Sequence, residues 1–212
     1  PDYRRPTADS TQSELSSLHL HADQTFENFD LREGELDAEE RDNLKRALNL
    51  ARQFAEDPRD WLVFTGTYGC GKTHLAAAIA NYRAQQGYPV LFVVVPDLLD
   101  HLRATFNPSS PVTYDRLFEE VRTAPLLILD DLGTESATSW AREKLYQLFN
   151  YRYNARLPTV ITTATPIEEL DPRLATRMLD VSRCTPFAIL APSYRGGRRP
   201  STKGTKKRRR RR

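Results

Sequence analysis

The stretch Gly66-Thr67-Tyr68-Gly69-Cys70-Gly71-Lys72-Thr73 constrains this chain more than any other eight residues. It matches the pattern G-x-x-x-x-G-K-[ST] and carries an extra glycine at Gly69. Glycines let the backbone turn so that successive amides converge on phosphate oxygens, and a helix starting there adds its positive end. In such a loop Lys72 reaches the β- and γ-phosphates, and the Thr73 hydroxyl ligates Mg²⁺. Gly66, Thr67, Tyr68, Gly69, Cys70, Gly71, Lys72, Thr73 and the adjacent His74 are therefore the expected nucleotide-contacting set. The mechanism requires a strand before the loop and a helix after it. Trp61–Thr65 is an apolar strand candidate, and residues 73–86 read as a helix.

The rest of the chain fits the same plan. Val90–Val95, Leu126–Leu129, Thr159–Thr163 and Phe187–Ala191 are further short apolar runs, with helical stretches near 72–86, 97–106, 114–122, 139–154 and 172–179. Runs that are apolar throughout imply burial on both faces, as in a parallel sheet covered by helices. Strand and helix alternation predicts an α/β fold with a five-stranded parallel sheet. Ahead of it, Asp37-Ala38-Glu39-Glu40 reads as a capping box opening a helix that Pro58 must end.

A phosphate loop needs carboxylates at the end of a neighbouring strand. Leu126-Leu127-Ile128-Leu129-Asp130-Asp131 supplies them. Asp130 is the expected Mg²⁺ holder, acting through water together with Thr73, and Asp131 the expected group that orients or deprotonates the attacking water. ATP and Mg²⁺ are thus the expected cofactors.

Composition narrows the class further. Two cysteines in 212 residues make no disulfide framework, and no Cys/His spacing suits zinc. No apolar run is long enough to cross a membrane and no secretion signal is visible, so the expected location is cytoplasmic. The net charge of +3 hides a division. From Arg195 onward there are 11 basic residues and no acid, leaving 20 basic and 28 acidic residues before it, a net of −8.

These residues resemble the AAA+ ATPases of the DnaC/DnaI helicase-loader group, which includes the IstB transposition helpers. The resemblance runs from about Thr25 to Arg195. It rests on Thr25-Phe26-Glu27-Asn28-Phe29-Asp30, the phosphate loop, Leu127-Ile128-Leu129-Asp130-Asp131-Leu132-Gly133, Pro158–Thr163, Arg173-Leu174-Ala175-Thr176-Arg177-Met178 and Ser193-Tyr194-Arg195. It implies a P-loop NTPase (AAA+) core over 25–195, without an evident helical lid domain, between a flexible lead-in (1–24) and a disordered basic tail (196–212). Arg177 matches the family's arginine finger, which reaches a neighbouring subunit's ATP; Arg173 competes for that role, and a surface arginine paired with Glu168 or Asp180 is the plainer reading. Where the family ends its fourth strand with a polar sensor, usually Asn, this chain has Ala164, so Thr163 is the substitute candidate and a slow ATPase the expectation. Arg195 is a further candidate for contacting nucleotide. Phe26 and Phe29 lie near the expected adenine or anchor the N-terminal segment.

The resemblance implies a homo-oligomeric ATPase, stimulated by oligomerisation or DNA, that acts on a replicative helicase or a transposase. Helicase loader, transposition helper and weakly hydrolysing nucleotide switch all remain open here. Single-stranded DNA is expected in the ring interior, facing the helix with Arg103 and the loop 107–113. The basic tail adds salt-sensitive attraction to phosphate backbone.

Overall fold

A computed structural model describes residues 15–107, 113–133 and 138–194. The loop at 108–112, Arg195 and the basic tail lie outside the described residues.

The first long helix forms where the capping box predicts. Asp37 Oδ1 accepts the Glu40 amide at 2.9 Å, and Glu40 Oε2 accepts the Asp37 amide at 3.3 Å. Helix α1 (Ala38–Glu56) then stops two residues short of Pro58. Five strands follow, β1 (Trp61–Gly66), β2 (Leu91–Val94), β3 (Leu127–Leu132), β4 (Thr159–Thr163) and β5 (Cys184–Ile189), all parallel, in the order β2-β3-β4-β1-β5. Between them run α2 (Lys72–Gln85), α3 (Val95–Ala104), α4 (Tyr114–Thr123), α5 (Ser139–Asn154) and α6 (Pro172–Met178).

Strand periodicity divides the core in two. Leu62, Phe64, Phe92, Ile128 and Val160 point toward α1 and α2, whereas Val63, Val93, Leu127, Leu129 and Ile161 point toward α3, α4, α5 and α6. Wholly buried Arg152 ties the lower edge of the second layer together. It donates to Thr159 Oγ1 (2.9 Å) and to the carbonyls of Ala124 (2.8 Å), Arg122 (3.1 Å) and Pro158 (2.6 Å). Burial pulls its guanidinium pKa down to about 9.

Four expectations need correction. The lead-in is not free up to residue 24: a 3-10 turn at Leu18–His21 seats Leu15 and Leu18 in the core, and the Ser17 amide donates to Phe92 O at 3.0 Å. The lead-in's few apolar residues are enough to dock it across β2 and α2. The last strand begins at Cys184, not Phe187. Pro186 cannot donate to a ladder, but β5 is an edge strand paired only with β1, where a missing N–H is tolerated. Helix α3 starts at Val95, two residues early, because Pro96 is accommodated in its first turn. Strand β3 continues beyond Leu129 to Leu132 through a register shift that carries both aspartates.

Candidate nucleotide site

At the carboxyl ends of β1 and β3 lies a cavity of about 530 Å³, a volume that suits a small-molecule ligand. Tyr68, Gly69, Cys70, Gly71, Lys72, Thr73 and His74 line it together with Asp130 and Asp131. Gly66 and Thr67 form the root of the same loop.

The loop is shaped by positions a side chain could not occupy. Gly66 has φ +139°, and a Cβ there would meet Ile189 O at 2.5 Å. Gly71, at φ +109°, leaves room for the Phe29 ring, which a Cβ would meet at 3.1 Å. Lys72 is nearly buried, and its ammonium donates to the carbonyls of Gly66 (2.8 Å) and Thr67 (2.9 Å). Those carbonyls hold the charge beside the loop, where incoming phosphate oxygens can compete for it. Cys70 is a buried filler 4.0 Å from the lysine; burial raises its thiol pKa, so it stays protonated. His74 Nε2 bonds Thr25 O at 2.8 Å, and its ring meets the edge of Phe29. Its role is to join the N-terminal segment to α2. Phe26 is buried in the core and Phe29 lines the cavity, so anchoring and site contact fall to different rings.

The carboxylate half is set by strand parity. Asp130 shares a face of the sheet with Ile128, toward α2, and is almost fully buried. Its Oδ2 accepts the Thr73 hydroxyl at 3.2 Å and its Oδ1 accepts the Thr162 hydroxyl at 2.7 Å. Desolvation raises its pKa above the ordinary carboxylate value, with both hydroxyls opposing the shift. Asp131 follows at φ +60°, a left-handed conformation that Asp tolerates better than most residues, and its amide donates to Thr162 Oγ1 at 3.0 Å.

Sequence reasoning missed Thr162 and chose Thr163. Thr163 points to the opposite face and is buried, its hydroxyl donating to Thr165 O (3.1 Å) and accepting the Thr165 amide (3.0 Å). Neither threonine lines the cavity; Thr162 acts on it only through Asp130 and the Asp131 amide. Strand alternation from Val160, which packs toward α2, puts Thr162 on the face that holds Asp130. Arg177 also lies away from this cavity. Its guanidinium donates to Asn150 Oδ1 and Arg173 O, each at 2.6 Å, and packs over Tyr146 and Tyr153. Neither Glu168 nor Asp180 pairs with it. Arg173 is spent on Asp171 and Glu143.

A clasp across the loop was not foreseen. The Tyr194 amide donates to Gly69 O at 2.9 Å, and Arg32 donates to Pro192 O at 2.6 Å while facing the Tyr194 ring. Residues from both ends of the described chain thus close over the phosphate loop.

The donor set suits a magnesium nucleotide. Among the described residues no cluster of three His, Cys, Asp or Glu side chains could hold a metal by itself. Mg²⁺ asks for less, since it keeps several waters and takes ligands from phosphates. One hydroxyl and one adjoining buried carboxylate, as at Thr73 and Asp130, meet that requirement.

A parallel sheet of this order with a phosphate loop after β1 and carboxylates ending β3 defines a P-loop nucleotide-binding domain. The family model of the IstB-like ATP binding proteins matches residues 4–201, and the chain belongs to that family. It is 29% identical over 168 residues to the replicative helicase loader DnaC of Escherichia coli strain K12, covering 77% of this chain and 64% of that protein. It is 36% identical over 110 residues to the replicative helicase loader DnaI of Bacillus subtilis, covering 51% and 34% respectively. The chain therefore spans less than two thirds of the length of these curated relatives. Among solved structures, the DnaC helicase loader superposes with TM-score 0.65 at 23% identity, covering 80% of this chain and 98% of that one. DnaI gives TM-score 0.65 at 26% identity, covering 80% and 93%. AMPPCP-bound DnaA from Aquifex aeolicus shares the fold, with TM-score 0.65 at 20% identity over 79% of this chain and 50% of that chain. No helix among the described residues is long and apolar enough to cross a membrane.

Proposed function

We propose that this chain binds ATP with Mg²⁺ in the 530 Å³ cavity and hydrolyses it slowly, as an ATP-driven loader of a replicative helicase onto single-stranded DNA. The carrying observation is the convergence of Lys72, Thr73, Asp130 and Asp131 on one cavity in a member of an ATP-binding family. The loop amides and Lys72 bind the phosphates; Thr73 and Asp130 hold the cation. Bound Mg²⁺ would neutralise charge on the phosphoryl oxygens. Asp131, fixed through its amide by Thr162, orients the attacking water. Arg177 serves the site of a neighbouring copy, which makes a homo-oligomer the active form. The relatives named as replicative helicase loaders support helicase as the partner class.

For single-stranded DNA the supporting surface lies around α3 and α5. Exposed Phe106 stacks on Tyr114 and meets the edge of Trp140, with Arg103 over Trp140 and Lys144 over Tyr114. Aromatic faces beside cations suit bases and phosphates together. The acidic body leaves any further DNA attraction to such patches and to the basic tail.

A second reading, a nucleotide-gated switch that barely hydrolyses ATP, is favoured by Ala164 and by the engagement of the Thr163 hydroxyl within its own turn. Steady-state ATPase with and without single-stranded DNA decides between them, measured on the intact chain, Lys72→Ala and Arg177→Ala. Lys72→Ala should lose ATP binding, and Arg177→Ala should bind ATP without turning it over. Intact protein that binds ATP and hydrolyses none under any condition would replace the loader ATPase by the switch. The IstB family match keeps a transposase as the alternative partner, which a pull-down with each partner class separates.

A further inference from the structure

The clasp over the loop carries an aromatic ring that the chemistry above does not use. Tyr194 lines the cavity and is 62% exposed. The bonds that seat its segment run through main-chain atoms. The Tyr194 amide donates to Gly69 O at 2.9 Å, and Pro192 O accepts the Arg32 guanidinium at 2.6 Å. Ser193 lies against Gly69, where a Cβ would meet its hydroxyl at 2.4 Å. Arg32 is itself nearly buried, its amide donating to Asp30 Oδ1 (2.8 Å) and its guanidinium to Glu35 (3.2 Å). The Tyr194 ring takes no part in these bonds. It stands at the cavity with the Arg32 guanidinium 5.6 Å from its centre.

Strand order decides which part of a nucleotide this ring meets. β1, which delivers the phosphate loop, lies between β4 and β5, and β3 lies beyond β4. Asp130 and Asp131 therefore stand two strands from the loop on one side, and the segment that follows β5 stands one strand away on the other. At about 4.8 Å per strand the two flanks are roughly 14 Å apart, room for a nucleotide laid across the loop. The cation end belongs to the β3 flank, where Thr73 meets Asp130. The base is left to the β5 flank. Asn43 of α1 bonds Ala188 O and the Leu190 amide, each at 2.9 Å, and so ties α1 to the run leading into Tyr194. Leu44, the next residue, lines the cavity, as does Phe29, three residues before Arg32, whose ring rests against Gly71.

Resting on the nucleotide reading above, we propose that Tyr194 is the base-stacking residue of the site. Its ring receives the planar heteroaromatic base of the nucleotide, and Leu44 and Phe29 supply apolar lining beside it. Tyrosine offers a large flat face with two side-chain torsions to order, and every base presents a π-face to it. The wall therefore sets affinity rather than choice among nucleotides. Stacking of this kind changes affinity on the order of tenfold when the ring is removed.

The test uses the full chain and 2-aminopurine riboside triphosphate, whose fluorescence is quenched when its base stacks on an aromatic ring, titrated in excess Mg²⁺. Tyr194→Leu should weaken binding about tenfold and lose most of the quench at saturation. Tyr194→Phe and Tyr194→Trp keep a ring and should stay near the parent in both readings. Nucleotide-free melting temperatures should be level across the three, because the exposed ring seats nothing. A loss in Tyr194→Phe equal to that in Tyr194→Leu would give the effect to the hydroxyl, and full quench in saturated Tyr194→Leu would put the base elsewhere; either overturns the inference. So would unchanged affinity, a lowered melting temperature, or a loss confined to single-stranded DNA binding. If the unmodified chain does not bind the probe, the nucleotide reading itself fails. If it binds, Lys72→Ala abolishes binding and Tyr194→Leu changes nothing, the nucleotide reading survives and this one falls.

Discussion

Thr162→Val replaces the buried hydroxyl behind Asp130 and Asp131 by a methyl group and changes almost no volume. In the folded chain that hydroxyl donates to Asp130 Oδ1 at 2.7 Å and accepts the Asp131 amide at 3.0 Å, in a position only 1% exposed. Losing a donor to a buried carboxylate costs about 1.5–3 kcal/mol, and orphaning a buried amide about 1–3 kcal/mol. The two losses share one site and overlap, so about 2–4 kcal/mol is expected near pH 8. The figure should shrink in acid. Burial already holds the Asp130 pKa above its ordinary value, with Thr162 opposing that shift, so the variant's folded pKa lies higher still. A carboxyl whose folded pKa is raised contributes stability that is fully present below its unfolded pKa of about 3.9 and is lost as pH rises through the folded pKa. Acid therefore rescues the variant more than the parent, and the stability gap should narrow as the pH falls from 8 toward the ordinary carboxylate range. Urea unfolding followed by circular dichroism across that range measures this. Thr163→Val is the control: its hydroxyl bonds only within its own turn, so its cost should be smaller and independent of pH. A gap for Thr162→Val that does not change with pH, or one below about 0.5 kcal/mol, would refute the claim that this hydroxyl acts through the buried carboxylate.

Mg²⁺-dependent nucleotide affinity should fall as the pH is lowered from neutral toward the ordinary carboxylate range, and begin to fall above that range, since the cation needs ionised Asp130 and burial raises that group's pKa; affinity in EDTA, measured by the same titration, should change less. Gly71→Ala places a Cβ at φ +109° and 3.1 Å from Phe29, and should cost about 1–2 kcal/mol in urea unfolding and weaken nucleotide binding, with Phe29→Leu relieving part of the second effect. Arg152→Met strips donors from three carbonyls and the Thr159 hydroxyl at once, and should lose about 3–5 kcal/mol by denaturant unfolding. Asp37→Ala removes one half of the α1 capping box and should cost about 1 kcal/mol by the same measurement.

The parts of this protein that sequence determined are those governed by local rules. Asp37 and Glu40 start α1 through bonds three residues apart, and a strand, Gly66–Thr73 and a helix succeed one another because a phosphate loop requires that order. Apolar runs made the strands legible, and their burial on both faces made the sheet parallel. The aspartates ending Leu127–Leu129 could be assigned to the site because a parallel sheet brings strand ends together. Other features depended on neighbours remote in sequence. Pro186 looks incompatible with a strand until β5 proves to be an edge, and Leu15 and Leu18 look like a loose lead-in until β2 and α2 offer a surface. The choice between Thr162 and Thr163 is one of strand parity, and only the packed sheet shows which face holds Asp130. Arg32 joins Pro192 across 160 residues, and Asn81 fixes His21 across 60. Contacts like these carry no local signal, because the chain between the partners leaves their spacing free until folding closes it.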